Sequence, residues 1–245
     1  MVKQLVKQGI QTILDKSGIV LSATDRYSHS SMTQALKWLS SHSFQVNTVL
    51  DVGASNGSWS KACLPFFPNA HYVLFEPQPA HNEALDTFAI ARKQQISLVK
   101  KAVGAAEGET FFDETDPFGG QLTANGNGKH SRKVPLTTID SSVSQLPVEG
   151  PYLLKLDTHG VEKGILEGAS ETLKQANILI IEAYNYKITK EALLFWELCA
   201  FLAERGFRPV DLVDVMHRQR DGSLWQMDLI FAKANWEGFS RNTYR

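Results

Sequence analysis

Five near-continuous apolar runs, at residues 48–52, 71–76, 96–103, 152–157 and 177–183, alternate with segments of helical spacing. This alternation constrains the fold more than any other feature of the chain. Runs without an in-out polarity are expected where both faces of a strand are covered. Strands separated by helices form parallel units, so the expectation is an α/β chain with a parallel sheet and helices on both faces. Two further strand-like stretches, 207–215 and 224–232, flank Arg220-Asp221-Gly222-Ser223, where Asp-Gly signals a hairpin. They predict a terminal antiparallel pair. The helix expected before them, 190–205, presents Leu193, Trp196, Leu198, Cys199 and Leu202, with Gly206 as its stop.

The first run leads into Val49-Leu50-Asp51-Val52-Gly53-Ala54-Ser55-Asn56-Gly57, and Ser58 to Leu64 can then open a helix. Glycines at 53 and 57 allow a tight turn against which a ligand can press on the main chain. Positions 55 and 58 are serine, so the Gly-x-Gly-x-x-Gly pattern of pyrophosphate binding is absent. Asp51, inside the strand, suits a cationic or amine-bearing ligand better than a phosphate. S-adenosylmethionine meets that description, because its amino and sulfonium groups are positive and it carries no phosphate. The second run ends in Phe75-Glu76-Pro77, with Glu76 placed 23 residues after Gly53, the length of one helix and one return strand. Parallel pairing brings both carboxyl ends to one edge, where open α/β sheets bind ligands. A carboxylate there can accept both ribose hydroxyls of a nucleoside. NAD-binding folds use the same device, which keeps an NAD-linked oxidoreductase or epimerase as an alternative.

Three further stretches carry a family resemblance: Leu136-Thr137-Thr138-Ile139-Asp140, Leu153-Leu154-Lys155-Leu156-Asp157-Thr158-His159-Gly160-Val161-Glu162, and Leu166-Glu167-Gly168-Ala169 followed by Ile178-Leu179-Ile180-Ile181-Glu182. In this order, after the turn at 53–57, the chain resembles the FkbM-type S-adenosylmethionine-dependent methyltransferases over residues 45 to 233. The second stretch is similar to the family's most specific signature, Lys-hydrophobic-Asp-x-(Glu or Gln)-Gly-x-Glu. Position 159 departs from it, being His. The resemblance implies a Rossmann-like class I methyltransferase fold: a mostly parallel seven-stranded sheet with a terminal antiparallel hairpin and helices on both faces. It also implies S-adenosyl-L-methionine as cofactor. The expected cofactor pocket draws on Asp51, Gly53, Ala54, Ser55, Asn56, Gly57, Glu76 and Pro77, on Ala102 and Val103 at the end of the third run, and on Asp157.

Methyl transfer to oxygen requires the protein to align the acceptor and remove its proton, since the donor is already activated. The expected catalytic residues are Asp157 and His159, at the carboxyl edge of the fourth run, and Glu182, at the end of the fifth. An imidazole titrates near ~6.5, which suits proton abstraction near neutral pH. Glu162 follows in the first turn of a helix, where capping and catalysis explain it equally. Two carboxylates and a histidine are acceptable ligands for a divalent ion, but the spacing is not diagnostic and no metal site is assigned. Tyr184, Asn185 and Tyr186 suit a sugar or polyol hydroxyl. The activity expected is O-methylation of a hydroxyl on a sugar, glycan or secondary metabolite. A catalytically silent nucleoside-binding protein of the same fold is the second alternative.

With 245 residues, 43% of them hydrophobic, the chain can bury one substantial α/β core. A formal net charge of −1 gives no general attraction to nucleic acid, and none is expected as a partner. No apolar run approaches the ~20 residues of a membrane span. Cys63 and Cys199 sit in helical apolar patterns and suggest no disulfide framework, consistent with a cytoplasmic protein. Residues 1–44 read as an N-terminal helical appendage to a methyltransferase domain at 45–245. Its first helix, near 2–14, is amphipathic, and a homo-oligomer built through the N-terminal helices is an option; its second lies near 31–41. The stretch 113–135, rich in Gly, Asn and charge, reads as a long loop, a candidate substrate lid.

Overall fold

The computed structural model describes residues 29–42, 44–115, 120–123 and 131–243, with only the backbone of 121–123. The helix expected near 2–14 lies outside the described residues. The central sheet has seven strands. In chain order these are β1 (Thr48–Val52), β2 (His71–Phe75), β3 (Ile96–Val99), β8 (Tyr152–Leu156), β9 (Ala176–Tyr184), β10 (Phe207–His217) and β11 (Leu224–Lys233). Their spatial order is β10-β11-β9-β8-β1-β2-β3. All neighbours are parallel except β9–β11 and β10–β11, so the terminal antiparallel pair is where the Asp-Gly signal put it. The strand order reverses at β1 and β8, which places a ligand crevice at their carboxyl ends.

Side-chain alternation divides the core into two layers. Leu50, Val73, Leu154, Leu156, Leu179 and Ile181 face one side and pack with Ile165, Leu166, Leu173, Leu198 and Leu202. Those partners come from α5 (Glu162–Glu167), α6 (Ser170–Gln175) and α7 (Phe195–Ala203), and α4 (Ile139–Ser144) adds Ile139 to the same layer. Val49, Tyr72, Leu74, Leu153, Ile178 and Ile180 face the other side and pack with Ala35, Leu36, Leu39, Cys63, Leu85 and Phe88. These belong to α1 (Met32–Ser41), α2 (Ser58–Cys63) and α3 (Asn82–Ala91). The stretch read near 31–41 is thus a helix, with its apolar stripe inside the core. Asp51 and Lys155 fall on this second face and are register partners on β1 and β8.

Two expectations are corrected. The run at 96–103 breaks after Val99, and Ala102–Val103 forms β4 in a separate four-stranded sheet. Lys100 and Lys101 interrupt the apolar run there. The stretch 113–135 is not loop throughout. β5 (Gly108–Asp113), β6 (Gln121–Thr123) and β7 (Ser131–Thr137) build the second sheet in the order β4-β7-β5-β6. Its apolar support is small, Ala102, Phe112 and Val134 with Leu136 against them, so no apolar run announces it in the sequence. Ion pairs Lys133–Glu109 and Arg132–Glu114 lie on its surface.

The edge strand, β10, runs irregularly against β11, with register shifts between Pro209 and Asp211 and between Val213 and His217. Asp214 adopts a left-handed φ of 51°. Asp211 Oδ2 lies 2.6 Å from His29 Nδ1, and Asp214 Oδ2 accepts the backbone N–H of Met32 at 3.0 Å. Leu212, Val215 and Met216, on the same strand, are exposed.

Candidate active site

The turn after β1 is left-handed at Gly53 (φ 80°), Ser55 (φ 49°) and Gly57 (φ 77°). A Cβ on Gly53 would stand 2.0 Å from the carbonyl oxygen of Asp157, so the turn and the end of β8 touch backbone to backbone. Gly53 and Ala54 donate their N–H groups to Phe75 O, both at 3.0 Å. Glu76 is buried, with Oε2 accepting from Ser55 N–H and Oε1 from Gln78 N–H, each at 2.8 Å. Burial raises its pKa despite those two hydrogen bonds. Each oxygen keeps a second lone pair for a ligand hydroxyl.

A cavity of about 210 Å³ opens over these groups, an order of magnitude more than one water needs. Of the expected cofactor residues, Gly53, Ser55, Glu76, Pro77, Ala102, Val103 and Asp157 line it. Four do not. Asp51 is fully buried below, with Oδ2 accepting from Ser60 Oγ–H at 2.6 Å. Ala54 is buried, and Gly57 backs onto Phe88 and Leu85. Asn56 turns its Oδ1 to the N–H of Ser58 at 3.0 Å. A strand side chain points across the sheet, not along it, which explains why Asp51 is not exposed at the turn it precedes.

At the far end of the cavity, Asp157 and His159 line the wall. Glu182, at the carboxyl end of β9, stands behind them. His159 Nε2 is 3.8 Å from Asp157 Oδ1 and 3.5 Å from Glu182 Oε2. The three expected catalytic residues therefore meet. His159 has a left-handed φ of 53° and is followed by Gly160 at φ 96°. Glu162 explains that backbone: its buried carboxylate accepts Gly160 N–H at 2.7 Å and Thr158 Oγ1–H at 3.3 Å. Between the two readings of Glu162, these contacts are those of a loop-orienting group. His159 Nδ1 faces the Gly120 carbonyl at 3.4 Å; a carbonyl only accepts, so Nδ1 is the donor there, and Nε2 is turned to the carboxylates.

The electrostatics are uneven. Burial raises Asp157, but the Lys155 ammonium 2.7 Å from Oδ2 outweighs it and holds the carboxyl below its ordinary range. Glu182 is pushed up to about 7 by burial and by the charge of Asp157, although it accepts from Tyr184 Oη–H and Gln226 Nε2–H, each at 2.6 Å. Burial lifts Asp228, on β11, to about 6. Ligand atoms of Asp157, His159 and Glu182 all lie within 4.8 Å of one another and are of types that can hold a metal ion. Lys155 already supplies Asp157 with a positive charge.

The sequence did not assign Phe112, Gly120, Gln78, Lys101 or Thr158 to the cavity, nor Lys155 as the partner of Asp157. Phe112 and Gly120 arrive from the small sheet and carry no local signal. Lys155 had one: a charge inside Leu153-Leu154-Lys155-Leu156. From the shared linker stretch, Asp140 caps α6, accepting the N–H groups of Glu171 and Thr172 at 2.9 and 2.8 Å.

The pocket fits S-adenosylmethionine by its own chemistry. Glu76 offers acceptors for a diol, Phe75, Val103 and Phe112 offer apolar walls for a base, and carboxylates at the opposite end suit a sulfonium. Fold and site together define a class I, Rossmann-like methyltransferase. The chain belongs to the FkbM methyltransferase family: the model of the methyltransferase FkbM domain matches residues 51–209. S-adenosylmethionine is the cofactor of that family. The NAD-linked alternative is set aside by this family match and by the antiparallel β10–β11 pair. The chain is 24% identical over 138 residues to the hexuronic acid methyltransferase AglP of Haloferax volcanii, a match covering 55% of this chain and 54% of the relative. It thus spans about half the length of that curated relative. The crystal structure of methyltransferase FkbM from Methylobacillus flagellatus KT shares the fold with a TM-score of 0.50 at 14% identity, over 75% of this chain and 43% of that one. Among the described residues no helix is long and apolar enough to cross a membrane.

Proposed function

We propose that the protein is an S-adenosylmethionine-dependent O-methyltransferase acting on a hydroxyl of a sugar, glycan or secondary metabolite. The observation that carries this is the meeting of Asp157, His159 and Glu182 at one end of a cavity whose other end holds Glu76. When bound, S-adenosylmethionine supplies a methyl group already activated by its sulfonium. Glu76 binds the ribose hydroxyls, and Phe75, Val103 and Phe112 enclose the base. Asp157 Oδ1 and His159 orient the acceptor hydroxyl, and its proton passes to Nε2 of His159. Glu182, whose own proton affinity lies near neutrality, supports the resulting imidazolium. A positioned base of this kind is worth ~10²–10⁴ in rate.

A sugar acceptor is favoured by what surrounds the base. Tyr184, Trp225 and Tyr186 form a connected aromatic strip from Glu182 outward, with ring centroids 5.9 and 5.2 Å apart. Arg218 stacks over Tyr186 at 4.6 Å. Aromatic faces beside a guanidinium suit an acidic sugar, which agrees with the hexuronic acid named for the Haloferax relative. The test is transfer from isotopically labelled donor to free and glycosidic uronic acids, neutral sugars and polyphenols, read by mass. Gain of one labelled methyl on oxygen of a uronic acid or sugar is expected. Binding of S-adenosylhomocysteine with no transfer to any hydroxylated acceptor would favour the silent nucleoside-binding reading.

A further inference from the structure

Lys155 sits mid-strand, 3% exposed, between the fully buried Leu154 and Leu156. Removing an ammonium from water costs several kcal/mol unless anions compensate it, and a buried ion pair is a weak way to stabilise a fold. The surroundings show which anion it serves. Nζ donates to Asp157 Oδ2 at 2.7 Å but stays 4.0 Å from Asp51 Oδ1. That Asp51 oxygen has no hydrogen-bond partner, although it is buried beside a cation. The Trp59 ring lies 5.4 Å from Nζ and closes the other side. Of its two carboxylate neighbours, the short contact therefore goes to the one that reaches the cavity.

We propose that Lys155 is a positioning residue for methyl transfer: its hydrogen bond to Oδ2 fixes the rotation of the Asp157 carboxylate so that Oδ1 faces Nε2 of His159. This rests on the reading of Asp157 and His159 given above. The charged and titratable groups acting on the pair are Asp51 from β1, Asp228 from β11, Glu182 from β9 and His159 from the loop after β8, with Asp214 beyond Asp228. All but the imidazole are acids, and Lys155 is the one cation among them. Its loss leaves Asp157 among like charges, free to rotate and readier to hold a proton.

The experiment follows the ¹³Cγ resonance of Asp157 through a pH titration of the full chain saturated with S-adenosylhomocysteine, and so needs no acceptor. Lys155→Met is compared with Asp51→Asn/Lys155→Met, which removes an anion together with the cation and protects the fold. Melting temperature reports folding. In the double variant the protein is expected to melt near the wild type while the Asp157 midpoint rises by about one unit or more, the scale of a lost close charge. Lys155→Arg should bring the midpoint back down. An unchanged Asp157 midpoint in a folded double variant would overturn the proposal and make Lys155 a counter-ion of Asp51. Failure of the double variant to fold would also overturn it, since Lys155 would then be a folding residue. If the midpoint moves as expected but no acceptor is ever methylated, the O-methyltransfer reading fails and the Lys155–Asp157 coupling stands.

Discussion

The two ends of the cavity are built from different materials. The end proposed for the donor is mostly main chain: three left-handed residues in one turn, and a Glu76 whose oxygens are both met by backbone N–H groups. The end proposed for the acceptor is mostly side chain, where Lys155, Asp157, His159, Glu182, Tyr184 and Gln226 meet. A main-chain site is rigid and tolerates few residues at its turning points. A side-chain site can be retuned by single substitutions, and its charges shift each other's protonation. The donor end should therefore fail by losing shape, and the acceptor end by losing protonation.

The largest expected effect tests the contact between the ends. Gly53→Val adds a Cβ 2.0 Å from the Asp157 carbonyl at a φ of 80°; a loss of stability on the order of 3 kcal/mol or more is expected. Calorimetry should find no S-adenosylhomocysteine binding, and normal binding would mean that the turn and strand are not in contact. At the acceptor end, His159→Ala and Asp157→Asn should each slow methyl transfer by ~10²–10⁴-fold. For His159→Ala the affinity for S-adenosylhomocysteine should hardly change, so the loss is in the transfer step. His159→Gln should keep only a small part of the turnover; turnover equal to wild type would move the base to Glu182. At the donor end, Glu76→Ala should weaken S-adenosylhomocysteine by on the order of 2–4 kcal/mol, two charge-assisted hydrogen bonds. Equal affinity in that variant would remove Glu76 from the ribose.

The smallest effect is in stability. The folded pKa of Glu182, about 7, lies above the ~4.3 of an unfolded glutamate. The folded state holds the extra proton between those values, so this group's contribution to stability falls as pH rises from ~4.3 to about 7. Glu182→Gln should remove that fall and gain on the order of 1 kcal/mol at pH 8, read as a melting temperature higher than wild type there but not at pH 4. An equal shift at both pH values would show that Glu182 does not titrate as described.

Much of the central sheet was legible because its signals are local. Apolar runs marked the strands, and Asp221-Gly222 marked the hairpin, where Gly222 takes a φ of 72°. Gly53 and Glu76 reach the cavity for the same reason: a strand end and a turn are sequence-local facts. Asp51 shows the limit. Its proximity to the turn was plain, but strand alternation sends it through the sheet to Ser60 and Lys155. Phe112 and Gly120 mark a second limit. They reach the cavity through pairing of β5 with β7 and β6, over strands of three to seven residues that carry charge and one proline. The meeting of Glu182 with His159 depends on β8 and β9 pairing in parallel across a pair of helices, and spacing alone put both at one edge without setting the 3.5 Å between them.

The irregular course of β10 bears on behaviour at high concentration. Among the described residues its outer side has no strand partner, and Leu212, Val215 and Met216 stand exposed on it. A straight, apolar free edge would be a template for end-to-end stacking of molecules. The shifted register and the left-handed Asp214 bend this edge, while His29 and Met32 occupy the carboxylates of Asp211 and Asp214. An incoming strand would thus meet a crooked edge held to the segment of His29 and Met32 instead of a straight ladder.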